Sequence, residues 1–293
     1  MKINFEKSLQ KVFLFIICFL FTCTSCTANE KKEITASEII KLIKKEKHIH
    51  IAEKIIIDDL NFTDVNQEFI VNGSMLQNEI NSNILFVNCV FMGKVSTKSK
   101  KANLPVNSVF KNNLAFLDCD FRGDIDFSNT IVFGMLNFSQ SKFREKAIFD
   151  NLSIWAKDSY FNEIKVEKTF SMIYASFHGN LYMTNSEFKG KFTMQETYVN
   201  GKLSLNNCIF FENANFDLIS INKNAFFNYV TFNKTSNFSF SYFMQSTEFI
   251  NTTFNEKGLF EKTFFNDSVR FENIDINNDI IIENTYFNNQ KIK

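Results

Sequence analysis

The chain has 293 residues, 45% of them hydrophobic, which is enough to bury a large core. Lys plus Arg equals Asp plus Glu at 32 each, a balance that excludes a polyanion and a nucleic-acid-binding glove. Eight Gly and one Pro against 38 Phe exclude an all-β domain punctuated by ordinary turns, so repetition must replace those turns.

Residues 1–25 read as a signal peptide. Lys2, Lys7 and Lys11 precede an apolar run from Val12 to Phe21, which is short for a bilayer span. Thr24, Ser25 and Cys26 resemble a bacterial lipobox, in which the leader is cut before a cysteine that carries a diacylglycerol. The resemblance implies lipidation at Cys26 and a chain held at a membrane of the bacterial cell envelope, periplasmic or surface-exposed, because two or three acyl chains anchor where one holds only marginally. Ordinary secretory cleavage and an uncleaved anchor are the alternatives. Residues 26–34 are polar and charged, as a tether is. Over 35–47, Thr35 or Ser37 can cap a helix with Ile39, Ile40, Leu42 and Ile43 on one face, a cover for the open end of a parallel β-solenoid.

The solenoid is expected over 48–289. His48-Ile49-His50-Ile51 alternates, and Phe86 and Phe91 keep a five-residue step. Residues 92–109, with Lys94, Lys98, Lys100, Lys101 and Pro105, break the step and read as an insertion loop. The grid resumes at Phe110, Phe116 and Phe121 and continues to Ile154, then slips by one residue before Phe161, where Trp155 and Tyr160 mark a bulge. From Met172 to Phe287 two interleaved apolar series each recur every eleven residues, and fourteen of the nineteen Phe in that stretch fall on them. The residue two places before a grid position is nearly always small, as with Cys119, Ala147, Cys208, Ala225 and Thr263, so a large and a small side chain enter the narrow core together. Outward positions set the coil length. Tyr198, Tyr242, Phe264 and Tyr286 lie 44, 22 and 22 residues apart, while Glu187, Ile209, Thr231, Thr253 and Asp275 fill the alternate half-repeats. A twenty-two-residue coil puts the two sets on opposite faces.

Segments such as Ala214-Asn215-Phe216, Ala225-Phe226-Phe227 and Ser236-Asn237-Phe238 resemble the pentapeptide-repeat family in its Phe-centred form, over roughly residues 84–287. The resemblance implies an all-β fold: a right-handed, four-sided parallel β-solenoid, here with a short N-terminal capping helix and a coil lengthened to twenty-two residues.

No nucleotide-binding, metalloprotease or nucleophile-elbow motif appears, so neither an enzyme nor a cofactor is expected. Cys89, Cys119 and Cys208 share the small inward slot, which favours buried thiols over the disulfides that an exported chain would otherwise suggest. His48 and His50 alternate on the first strand without a second ligand cluster, so no metal site is expected; His178 should point outward at a corner. Asp118, Asp120, Asp124 and Asp126 are the densest carboxylates, and solvated turns fit them better than calcium or paired-acid hydrolysis. The stripe Tyr198, Tyr242, Phe264 and Tyr286 is the candidate interaction site, with a stiffening aromatic ladder as the alternative. The expectation is therefore a non-catalytic, membrane-anchored structural or protein-interaction module of the envelope, or alternatively a carbohydrate- or wall-binding surface protein. Expected partners are the membrane and an envelope protein or glycan, with no nucleic acid. A weak end-to-end homodimer is also expected, through residues 276–289.

Overall fold

The computed structural model describes residues 31–66, 70–72, 74–276, 279–288 and 290–291. The leader, Cys26 and the first part of the tether lie outside them. Lys32–Ile34, within the segment read as tether, is a short strand, and the Ile34 carbonyl accepts from the Ile57 N–H at 3.3 Å.

From Glu33 onward the chain is one compact unit, a parallel β-solenoid with four faces. We number the faces in the order the chain meets them. In one coil Leu114–Leu117 lies on face 1, Asp120–Phe121 on face 2, Ile125–Asp126 on face 3 and Ile131–Val132 on face 4, where it pairs with the end of Leu104–Phe110 from the coil before. Each strand pairs in register with the strand a coil later, as Phe210↔Phe232 and Phe232↔Phe254 do on face 2. The expected twenty-two-residue coil is what stacks.

The helix α1 (Ala36–Lys45) has both halves of a capping box: the Thr35 hydroxyl accepts from the Glu38 N–H, and the Glu38 carboxylate accepts from the Thr35 N–H. Ile39, Ile40 and Ile43 are buried against the first coil. The Ser82 hydroxyl donates to the Ile43 and Glu46 carbonyls, satisfying acceptors left open at the helix end.

Two side features depart from expectation. The insertion is narrower than 92–109, because Val95 and Ser96 stay on face 3, paired with Leu60–Asn61 below and Ile125–Asp126 above. What leaves the grid is a hairpin, Lys98–Lys101 antiparallel to the start of Leu104–Phe110, turned by Ala102 and Asn103, both at positive φ. An extra excursion in the first coil was not expected at all. Ile70–Asn72 pairs antiparallel with Met75–Ile80, and Met75–Ile80 then pairs with Leu104–Phe110 from Leu76↔Val106 to Ile80↔Phe110. The two hairpins thus stack as a four-stranded flange beside face 4. Periodicity misses it because the alternation of Met75–Ile80 is the same in a hairpin as in a coil.

The slip near 155 is a coil of twenty-three residues, with Asn137 paired to Tyr160 and Ile154 to Phe177. The core is columns of Phe. Phe216, Phe238 and Phe260 stack face to face at 4.6 and 4.9 Å, while neighbouring columns meet edge to face, as Phe227 and Phe238 do at 5.3 Å and 87°.

The small-residue rule needs correction, since Phe170, Leu181, Phe192 and Leu203 are buried two places before Met172, Met183, Met194 and Leu205. From Met172 onward core volume accounts for it: where the grid residue is a flexible Met or a Leu, the preceding inward slot holds the large side chain, and where it is Phe216, Phe227 or Phe260, the slot holds Ala214, Ala225 or Gly258. In the earlier coils Leu114, Ile125 and Leu136 are buried beside Phe116, Phe127 and Phe138, so there the core takes two large side chains. A Cβ on Gly258 would lie 3.1 Å from the Phe254 ring, so no larger residue fits as the ring stands.

Candidate interaction surface

The corners shape the surface. From Asp118 to Asn284 a residue with φ between 50° and 63° recurs about every eleven positions, alternating between the face 1–2 and face 3–4 corners. Asn fills many of these positions, as at 129, 151, 185, 207 and 251, because its short amide tolerates the left-handed region. Tyr174, Leu218, Tyr229 and Phe240 occupy the same strained conformation and are exposed at 55, 40, 60 and 39%. Strain with no burial in return points to selection at the surface.

Three of those four, Tyr174, Leu218 and Phe240, lie on the face 3–4 corner, beside the predicted stripe. On face 4 the outward positions run Ser176, Tyr198, Ser220, Tyr242, Phe264 and Tyr286 in register. All four predicted stripe residues therefore share one face, and the alternate set from Glu187 to Asp275 lies on face 2. Tyr242, Phe264 and Tyr286 form a tilted ladder with 6.0 Å between successive ring centroids. Tyr198 is set apart by Ser220, and its hydroxyl donates to Asn200 and accepts from the Asn222 amide at 2.7 Å. Lys262 sits 4.8 Å over the Phe240 ring, and a hydrogen bond to Glu196 raises the Tyr174 phenol above its ordinary pKa. The corner residues were missed by sequence reading because Asn marks the left-handed corners, whereas Tyr, Leu and Phe at the same positions do not.

A separate aromatic run lies on the face 4–1 corner. Trp155 stacks on His178 at 3.7 Å and on Phe133 at 6.1 Å, and Lys111 lies over Phe133. His178 is thus at a corner, as expected, but takes part in a ladder. His48 and His50 project from face 1 beside a shallow, mainly apolar groove of about 520 Å³ lined by Leu85, Ala115, Leu117 and Met135. Among the described residues no group of three or more His, Cys, Asp or Glu is placed to hold a metal.

The four aspartates are spread around one coil. Asp120 on face 2 bonds Arg144 at 2.7 Å, and Asp126 on face 3 bonds Lys98 at 2.9 Å. Asp118 is a left-handed corner residue, and Asp124 accepts from the Lys146 N–H. Burial alone would raise the Asp120 carboxyl, but hydrogen bonds and charge from Arg144 and Arg122 outweigh it and hold the group below the usual range. Lys98 is tied down by its ion pair, while Lys100 and Lys101 are exposed on the hairpin.

The inward slot carries hydrogen bonds that sequence reading did not foresee. Ser241, Thr252 and Thr263 donate to the carbonyls of Phe216, Phe227 and Phe238, each one coil below, at 2.8, 2.6 and 2.7 Å. The Cys208 thiol does the same to Met183 at 2.9 Å.

No family model matches the chain, and neither the curated proteins nor the solved structures yield a match.

Proposed function

We propose that this chain is a non-catalytic pentapeptide-repeat lipoprotein, anchored through Cys26, that presents a rigid rod as a structural or protein-interaction module of the cell envelope. The observation that carries the interaction role is the aromatic band. Four left-handed corner positions hold large exposed side chains, and three of them border the in-register column of Tyr198, Tyr242, Phe264 and Tyr286. The pentapeptide-repeat assignment is supported by the twenty-two-residue stacking, the four faces and the Phe columns.

Protease treatment of intact cells, alongside a Cys26→Ala control, tests the anchor and its side of the envelope. Loss of membrane association in the control is expected. A Cys26→Ala chain that remains membrane-bound would overturn lipid anchoring.

A second reading, carbohydrate or wall binding, draws on the same column, in which Tyr242 is exposed and Tyr198, Phe264 and Tyr286 are half-buried, because a row of aromatic rings suits sugar rings. Tyr242→Ala combined with Phe264→Ala should abolish retention on cell-wall glycan while leaving the circular-dichroism melt unchanged. Undiminished retention would remove this reading.

A weak end-to-end homodimer through residues 276–289 completes the partner proposal. Phe271 and Phe287 are only partly buried, whereas Phe249 and Phe265, one coil earlier, are buried. Sedimentation at high concentration showing only monomer would refute it.

A further inference from the structure

Cys89 and Cys119 occupy the same inward slot in successive coils. Val90 pairs with Asp120 and Phe91 with Phe121, which puts the two cysteines on adjacent rungs, and the Asp120 N–H donates to the Cys89 carbonyl at 2.9 Å. Adjacent rungs lie about 4.8 Å apart, within the roughly 4.4–6.8 Å between Cα atoms that a disulfide spans. Both side chains are buried. Their thiols donate to backbone carbonyls, Ile51 and Val87 for Cys89 and Leu117 for Cys119, at 3.4 Å. A thiol is a weak donor, so joining the sulfurs gives up little. Closing the bond asks the two Cβ atoms to lean together by less than about 1 Å. Cys208 differs, because Ser186 and Val230 occupy the rungs on either side of it.

We propose that Cys89 and Cys119 are a disulfide site: an oxidant joins them across successive coils and staples the two coils that carry the flange to the regular repeats above. With glutathione disulfide as oxidant, one cysteine thiolate displaces glutathione to give a mixed disulfide, and the second thiolate attacks it. One S–S bond forms, two glutathione thiols leave carrying the two protons, and the oxidant takes the two electrons. Burial pushes the Cys119 thiol far up, so its thiolate is scarce in the folded coil. The bond is therefore made while the coils are assembling or locally open, and resists reduction once they close.

The test is to unfold the full chain in urea, refold it in a reduced/oxidised glutathione buffer, block remaining thiols and map linked peptides by mass spectrometry. Refolding removes access as a variable. Cys89–Cys119 is expected as the dominant linked pair, unchanged in Cys208→Ser and absent in Cys119→Ser. Amide exchange over 83–87 and 114–117 should slow by about tenfold or more relative to the reduced protein. Recovery of both cysteines blocked, or the same mixture of pairs seen when the chain is oxidised in urea, would overturn the proposal.

Discussion

Leu218 shows how a single residue trades local strain against surface chemistry. Its φ of 58° suits Asn, which holds the same position at 129, 151 and 284, yet a large apolar side chain stands there with 40% of its surface exposed. Leu218→Asn should therefore stabilise the fold by about 0.5–1 kcal/mol, read as a higher urea midpoint. Thr263 makes the opposite case. Its hydroxyl is buried and donates to the Phe238 carbonyl, so Thr263→Val keeps the shape but strands an acceptor, and should cost about 1–2 kcal/mol in the same measurement. The sequence displays Thr263 as small, but only the coil below reveals what its oxygen meets.

Individual strands of two residues could not stand alone, and their stability comes from the columns they feed. Phe238 is sealed between Phe216 and Phe260, with burial contributing about 1.5–3 kcal/mol. Phe238→Asp would bury a charge in that column and should abolish the cooperative thermal transition. Asn233→Asp should leave it in place, since the Asn233 side chain acts outward as acceptor for the Asn255 amide and a carboxylate keeps that oxygen. Equal melts for the two would contradict the register. On face 2, the Arg122–Asp120–Arg144 cluster and the Lys142–Glu167–Lys189 cluster link successive coils. Asp120 and Glu167 both ionise more readily in the fold than in the unfolded chain. Their contribution is complete above the unfolded carboxylate values of about 4 and fades as pH falls below them. The urea midpoint should thus fall as the pH is lowered below about 4, and fall less in Arg144→Gln, which has less to lose.

In the whole molecule each coil touches only its neighbours, so stability is close to a sum of coil and interface contributions. The described coils are not equal at their ends. Helix α1 covers the first coil with Ile39, Ile40 and Ile43, whereas Val269, Phe271 and Ile280 are left partly open. Hydrogen exchange should accordingly be fastest over 269–287 and slowest through the central Phe columns near 210–254; uniform protection would argue against this ordering. Gln290–Lys291 folds back antiparallel on Tyr286–Phe287 and covers the edge of face 4.

The coil length, the Phe columns, the capping helix and the shared face of Tyr198, Tyr242, Phe264 and Tyr286 were all legible in the sequence, because each depends on spacing alone. A period survives translation into any register that stacks it. The flange, the left-handed corners carrying Leu218 and Phe240, the hydroxyls reaching down to carbonyls, and the meeting of Cys89 with Cys119 were decided by the tertiary structure. The corners and hydroxyls depend on backbone conformation and on which backbone atoms of one coil lie against the next, which a pattern of side chains does not record even at regular spacing; the flange and the cysteine pair are hidden as well by insertions that change the spacing from twenty-two residues.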